Sequence, residues 1–172
     1  MTSAYPKAIV SSAVTIRHAR PEDADVIHGA LIGIGKTIGE AHKITSTPED
    51  IRRDGFGANP HFSVLIAEID SKFAGMCLYF PIYSTWMGRP GAYVQDLFVA
   101  DEFRGGRIGE RLLRHLAREV RDRGGAYIEL AVDTGNHKAQ RFYERIGITH
   151  RASDQVHRLT GEAFLAFAEK ED

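Results

Sequence analysis

The chain has 172 residues, 43% of them apolar and 26% charged, with a formal net charge of −1. That length and composition suit one globular domain with a core of its own. The near-zero charge argues against a dedicated nucleic-acid binder, which needs a basic excess; the lone Cys77 rules out an internal disulfide and a cysteine-based zinc site; and no apolar run approaches the ~20 residues of a membrane span.

Met1–Ala13 lacks a charged start followed by an apolar core, so it reads as a loose extension before a single domain over 14–172. A reducing cytosol is the expected compartment. Val14–His18 alternates as a first strand. Pro21, with Glu22 and Asp23 behind it, opens a helix to about Lys36. Thr47-Pro48-Glu49-Asp50 opens a second, short helix to about Arg53, closed by the turn Asp54-Gly55-Phe56-Gly57. Three strands follow: Phe62–Ile69, Lys72–Tyr83 and Ala92–Val99. Asp70 and Ser71 make a tight hairpin between the first two. Cys77 sits in the apolar run Phe73–Phe80 as a core residue.

Phe103–Arg123 carries Ile108, Leu112, Leu116 and Val120 at four-residue intervals, with Leu113 beside them, which is one apolar helical stripe. Gly124-Gly125 stops it. Tyr127–Val132 alternates as a strand, and Asn136–Arg145 is helical with Gly147 as its stop. A last pair of strands is expected within Ile148–Ala168. The order is β-α-α-β-β-β-α-β-α-β-β, an α/β arrangement of one mixed sheet covered by helices.

Arg104-Gly105-Gly106-Arg107-Ile108-Gly109 follows the strand ending Asp96-Leu97-Phe98-Val99 and opens the long helix. A helix start offers unpartnered N–H groups and the positive end of the dipole. Glycines let a phosphate approach that backbone, and arginines add charge. A pyrophosphate is the expected guest; a loop made flexible by glycines is the alternative reading. No Gly-Lys-Ser/Thr follows, and the glycine spacing does not match the dinucleotide fingerprint.

These residues resemble the signature of the GNAT acetyltransferases, Arg/Gln-x-x-Gly-x-Gly/Ala at a strand-to-helix junction. Arg104, Ile108 and Gly109 fit; Arg107 stands where the first signature glycine would be, with Gly106 one place early. The resemblance continues through Asn136 and Phe142-Tyr143-Glu144-Arg145-Ile146-Gly147. Within the superfamily the chain is most similar to the diamine (spermidine/spermine) and thialysine N-acetyltransferases. Asp54-Gly55-Phe56-Gly57 with Pro60 and Phe62, Tyr83-Ser84-Thr85-Trp86-x-Gly88, and Asp96–Val99 running into Phe103-Arg104-Gly105 carry that likeness.

The resemblance implies a splayed mixed sheet flanked by about four helices, acetyl-CoA as cosubstrate, a small amine as acceptor and a homodimer. It also assigns roles. Leu97, Phe98 and Val99 line the pantetheine chain, with backbone bonds from Leu97 and Val99. Gly105, Gly106, Arg107, Ile108 and Gly109 hold the pyrophosphate, with Arg104 as phosphate donor or brace of the turn. Tyr143 matches the general acid that protonates the departing thiolate; by periodicity alone it is a core residue. Asn136 is a helix cap or a cofactor contact.

The polyamine enzymes carry a glutamate where this chain has Gln95, and an amide cannot accept the ammonium proton at neutral pH. Asp96 matches a retained acid, but neighbouring strand residues point to opposite faces. Glu40 and Asp54 are substitute acids at the acceptor site. The acidic cluster expected around Ile38–Lys43 is reduced to Glu40, which favours a smaller or less charged amine over a polyamine. Tyr83 and Trp86 are candidate acceptor-pocket walls, where a tryptophan face packs an alkyl chain or a cation; a strand-end core position is the other reading of Trp86.

The eight histidines show no ligand spacing, so no metal is expected. The arginines of the long helix read as a solvated face, one of them within reach of the CoA 3′-phosphate. Two classes remain: an active N-acetyltransferase, and a CoA-binding regulatory module that has lost turnover, which Gln95 makes thinkable. A protein N-acetyltransferase ranks below small amines, because the aromatic loop Tyr83–Trp86 restricts a broad surface.

Overall fold

A computed structural model of the chain describes residues 13–170. The expected N-terminal extension lies, except for Ala13, outside these residues. The chain divides into two compact units, Met1–Thr134 and Gly135–Asp172.

The first unit is a five-stranded sheet with the strands in chain order: β1 (Val14–His18), β2 (Ser63–Ile69), β3 (Lys72–Ser84), β4 (Arg89–Val99) and β5 (Tyr127–Leu130). The pairings are antiparallel except β4 with β5, which run parallel. Between these two strands runs helix α3 (Ile108–Asp122), the crossover that parallel neighbours require. Helices α1 (Ala24–Thr37) and α2 (Pro48–Phe56) lie between β1 and β2 in the chain. Asp70 and Ser71 both have positive φ, 49° and 62°, so the β2–β3 link is the two-residue turn that matches strand twist.

Strand alternation assigns the two faces of the sheet. Val64, Ile66, Met76 and Leu78 pack on Ala24, Ile27 and Ala30 of α1 and Ile51 of α2. Leu65 and Cys77 face the other way and are fully buried, as are Ile108, Leu112 and Leu116 of the α3 stripe. Helix α3 lies against β2, β3 and β4, and the Tyr79 hydroxyl donates to Glu119 on it (3.2 Å). Each large apolar side chain buried this way contributes about 1.5–3 kcal/mol. Cys77 is core as expected; burial pushes its thiol up to about 12, far from a reactive thiolate.

Helix α2 runs farther than its sequence suggests. Asp54-Gly55-Phe56 is helical and only Gly57 ends it, with its N–H on the Arg53 carbonyl (3.2 Å). The start is a capping box, with the Asp50 N–H on Thr47 Oγ1 (3.2 Å) and the Thr47 N–H on Asp50 Oδ2 (2.8 Å). Gly55 serves packing rather than turning: a Cβ there would fall 2.6 Å from the Phe62 ring.

The second unit holds α4 (His137–Arg145) and α5 (Gly161–Ala168). The expected strand pair within Ile148–Ala168 is not found: among the described residues no strand follows β5, and Gly161–Ala168 is a helix. A short apolar run fits a buried strand or a helix equally well by pattern. Here alanines, a leucine and a glutamate decide for the helix.

Candidate active site

Three features of the first unit meet along β4. The first is a bulge. Leu78 pairs with Asp96 and Tyr79 with Val94, leaving Gln95 as the extra residue. The alternation therefore breaks at Gln95. Asp96 and Phe98, opposite Leu78 and Met76, take the α1 face. A Cβ at Gly33 of α1 would fall 2.6 Å from the Phe98 ring, so the glycine admits the ring. Leu97 and Val99 take the α3 face, and Gln95 is exposed.

The second feature is a splay. Strand β5 pairs with β4 only over Gly91–Val94, while β4 continues to Val99. Along this sheet edge Gln95–Val99 have no β5 partner, which leaves backbone groups for an extended chain to pair with.

The third is the loop into α3. Gly105 (φ 85°) and Arg107 (φ 58°) both take left-handed conformations, Arg107 as the N-cap of α3. Glycine is the residue that adopts this conformation without penalty. Arg107 therefore keeps the backbone shape of the signature glycine with a side chain attached, at about 1–2 kcal/mol. The first helical bond runs from the Arg111 N–H to the Arg107 carbonyl (3.0 Å), so the Ile108 and Gly109 amides precede the ladder. A Cβ added at Gly105 would meet nothing within 4 Å, so the approach is open. Arg104 braces the turn, Nη2 on Asp101 (2.7 Å) and Nε toward the Val99 carbonyl (3.4 Å). Arg107 donates through Nε and Nη2 to Glu110 (3.0 and 3.1 Å), which Arg114 also engages (2.7 Å). An edge for an extended chain, ending in a helix start with open access, fits a pantetheine and its pyrophosphate.

On the α1 face beside Asp96 lies a cavity of about 380 Å³, lined by Leu31, Ile34, Gly35, Ile38, Glu40, Lys43, Ile44, Thr45, Ser46 and Asp96. Burial pushes the Asp96 carboxyl up to about 6. The cavity walls mix four aliphatic side chains, Leu31, Ile34, Ile38 and Ile44, with two acids, one lysine and two hydroxyl residues.

Of the residues singled out in the sequence, the cavity gathers Asp96 and Glu40. Asp54 sits on α2 and is paired with Arg53 (2.6 Å), outside the cavity lining. Tyr83 and Trp86 stand at the β3–β4 hairpin, 61% and 99% exposed, and do not line it either. The core reading of Trp86 is thereby excluded. Sequence reasoning missed Lys43 and the aliphatic walls Leu31, Ile34, Ile38 and Ile44. Ile38–Lys43 is conspicuous in the sequence for the acids it lacks, and the lysine within it was the available signal.

In the second unit, Asn136 is the cap of α4, its Oδ1 accepting from the Ala139 N–H (3.1 Å). Tyr143 lies edge-on to Phe142 at 5.1 Å between ring centroids, and Arg145 covers the Phe142 ring at 5.6 Å.

Residues 36–148 match the model of the Acetyltransferase (GNAT) family. A thialysine N-epsilon-acetyltransferase of Sus scrofa is 33% identical over 92% of this chain and 99% of its own length. An aminoalkylphosphonate N-acetyltransferase of Salmonella typhimurium is 29% identical over 77% of this chain and 82% of its own. Among solved structures, a V. cholerae integron cassette protein superposes with a TM-score of 0.77 at 20% identity, covering 91% of this chain and 98% of that one, a likeness of fold.

Proposed function

The chain belongs to the GNAT acetyltransferase family, and from that premise we propose that it moves an acetyl group from acetyl-CoA to the primary amine of a small molecule by direct attack within a ternary complex. The carrying observation is that Asp96, a half-buried carboxyl next to the β4 bulge, lines the cavity of about 380 Å³ on a strand whose last stretch has no β5 partner.

Bound acetyl-CoA supplies the thioester. Leu97 and Val99 offer backbone bonds to its pantetheine chain, and the Ile108 and Gly109 amides, with Gly105 leaving access, take the pyrophosphate. The acceptor arrives as an ammonium, and Asp96 anchors it. Asp96 takes one proton from that ammonium and so frees the nitrogen lone pair for attack; as the C–N bond forms and the C–S bond breaks, the nitrogen sheds its second proton to water. Tyr143 donates to the thiolate, a role resting on its place in the closing motif. Gln95, exposed on the bulge, is a neutral hydrogen-bonding group at the acceptor side. The two units act as one acetyltransferase domain, working as a cytoplasmic homodimer.

The same Gln95 supports a second reading, a CoA-binding module without turnover. Thiol release from acetyl-CoA across small amines, amino acids and aminoglycosides separates the two. Turnover that Tyr143→Phe lowers by about 10²-fold, with acetyl-CoA affinity unchanged, upholds the enzyme. Acetyl-CoA binding with no release from any acceptor upholds the module.

A further inference from the structure

We infer that Glu110 is a positioning residue for the cofactor loop: by holding the Arg107 side chain against helix α3, it fixes Arg107 in the left-handed conformation that aims the Ile108 and Gly109 amides at the pyrophosphate. The inference rests on the acetyltransferase reading of that loop and adds a residue that acts through its neighbour.

Among the described residues Glu110 is the one buried residue that carries a charge, 8% exposed. It stands in the first turn of α3, three residues after the N-cap Arg107. A carboxylate is an odd neighbour for a loop that receives a pyrophosphate. It repels the guest, and its burial costs desolvation.

The arginines account for it. Arg107 donates to both carboxylate oxygens, Nε to Oε2 (3.0 Å) and Nη2 to Oε1 (3.1 Å). Arg114, one turn on, holds Oε1 as well (2.7 Å). Two parallel bonds set the direction of a guanidinium as well as its distance. Two arginines against one glutamate also leave a positive charge in excess beside the loop.

Direction matters at Arg107. Its φ of 58° and ψ of 22° are values that glycine accepts and a side chain resists. The hold on Glu110 closes a ring of chain around Ile108 and Gly109. The strained backbone cannot relax without breaking both bonds.

Two simpler roles for Glu110 predict different outcomes. A glutamate at the third helical position often caps the helix by accepting from the N-cap backbone N–H, and glutamine does this equally well. A glutamate acting by charge alone weakens anion binding, so its neutralisation strengthens it. Positioning predicts the opposite sign.

The test is calorimetric titration of acetyl-CoA, without acceptor, into wild type, Glu110→Gln, Arg107→Gly and the double variant. Glutamine keeps shape and cap but offers Arg107 one acceptor oxygen in place of two. Glu110→Gln should weaken acetyl-CoA binding about five- to tenfold. Its acetyl-CoA KM should rise in step, with kcat and the acceptor KM within about twofold of wild type. In the Arg107→Gly background glycine takes the left-handed φ unaided, so the same change should move acetyl-CoA affinity by less than about twofold. Equal losses in both backgrounds would overturn the inference, as would tighter binding of acetyl-CoA to Glu110→Gln. The cap is kept, so Glu110→Gln should melt close to wild type. Should it not fold, Glu110→Asp makes the same comparison, because it keeps the charge and falls one methylene short of Arg107. Wild type that binds no acetyl-CoA would end the acetyltransferase reading and the positioning with it. Wild-type binding with no dependence on the Arg107 background would end the positioning alone.

Discussion

Asp96 sits where function and stability pull in opposite directions. Its carboxyl is raised from 3.8 to about 6 by burial. A carboxyl raised in the folded state binds its proton more tightly there than in the unfolded chain. The folded state is therefore favoured at low pH, and that advantage is lost as pH rises from about 4 through 6. Above this window the half-buried carboxylate costs about 2–3 kcal/mol. Asp96→Asn should then melt higher than wild type at pH 7.5 and close to it at pH 4, as denaturant titrations at the two pH values would show. Activity runs the other way. A base must be ionised to accept a proton, so the wild-type rate should fall as pH drops through about 6. Asn should lose about 10²-fold and flatten that limb. A wild-type profile level between pH 5 and 7 would take the base role from Asp96.

At the scale of elements, the acceptor cavity depends on how closely the 41–44 segment approaches α1. Two glycines in one helix isolate that dependence. Gly29 has nothing within 4 Å of an added Cβ, whereas Gly35 faces backbone of Ala41 at 2.8 Å. Alanine at either site gains helix propensity, about 0.5–1 kcal/mol. At Gly35 it also overpacks against a main chain that must move, at about 1–3 kcal/mol. Gly29→Ala should therefore raise the melting temperature, and Gly35→Ala should lower it and raise the acceptor KM. The acetyl-CoA KM should stay, since Arg104–Gly109 is a separate loop. This contrast also shows what the sequence could express. Gly124-Gly125 and the α3 stripe are local signals, and they place the helix end and the buried face. Gly35 looks like any helical glycine until a distant turn lies on it. Gly161–Ala168 failed as a strand for a related reason, since a short apolar run has no period that separates the two conformations. Asp96 was nameable from its motif, but its face was not, because a one-residue bulge at Gln95 resets the alternation.

For the molecule as a whole, the β3–β4 hairpin sets the sharpest expectation. Trp86 is 99% exposed, with Tyr83 at 61% and Met87 at 52% around it. Three large apolar side chains at one turn form a patch that a monomer seldom leaves in water, and aromatic residues and methionine are the types enriched at protein interfaces. A homodimer that covers this tip would make stability depend on protein concentration, because association favours the folded state by mass action. Wild type should sediment at twice the 19.1 kDa chain mass, and its melting temperature should climb with concentration. Trp86→Ser removes no buried contact from the protomer, so it should sediment as a monomer with a concentration-independent melt. If both proteins sediment alike and Trp86→Ser instead raises the acceptor KM, the tryptophan belongs to the acceptor site, as its motif suggested, and the dimer must be sought on another face.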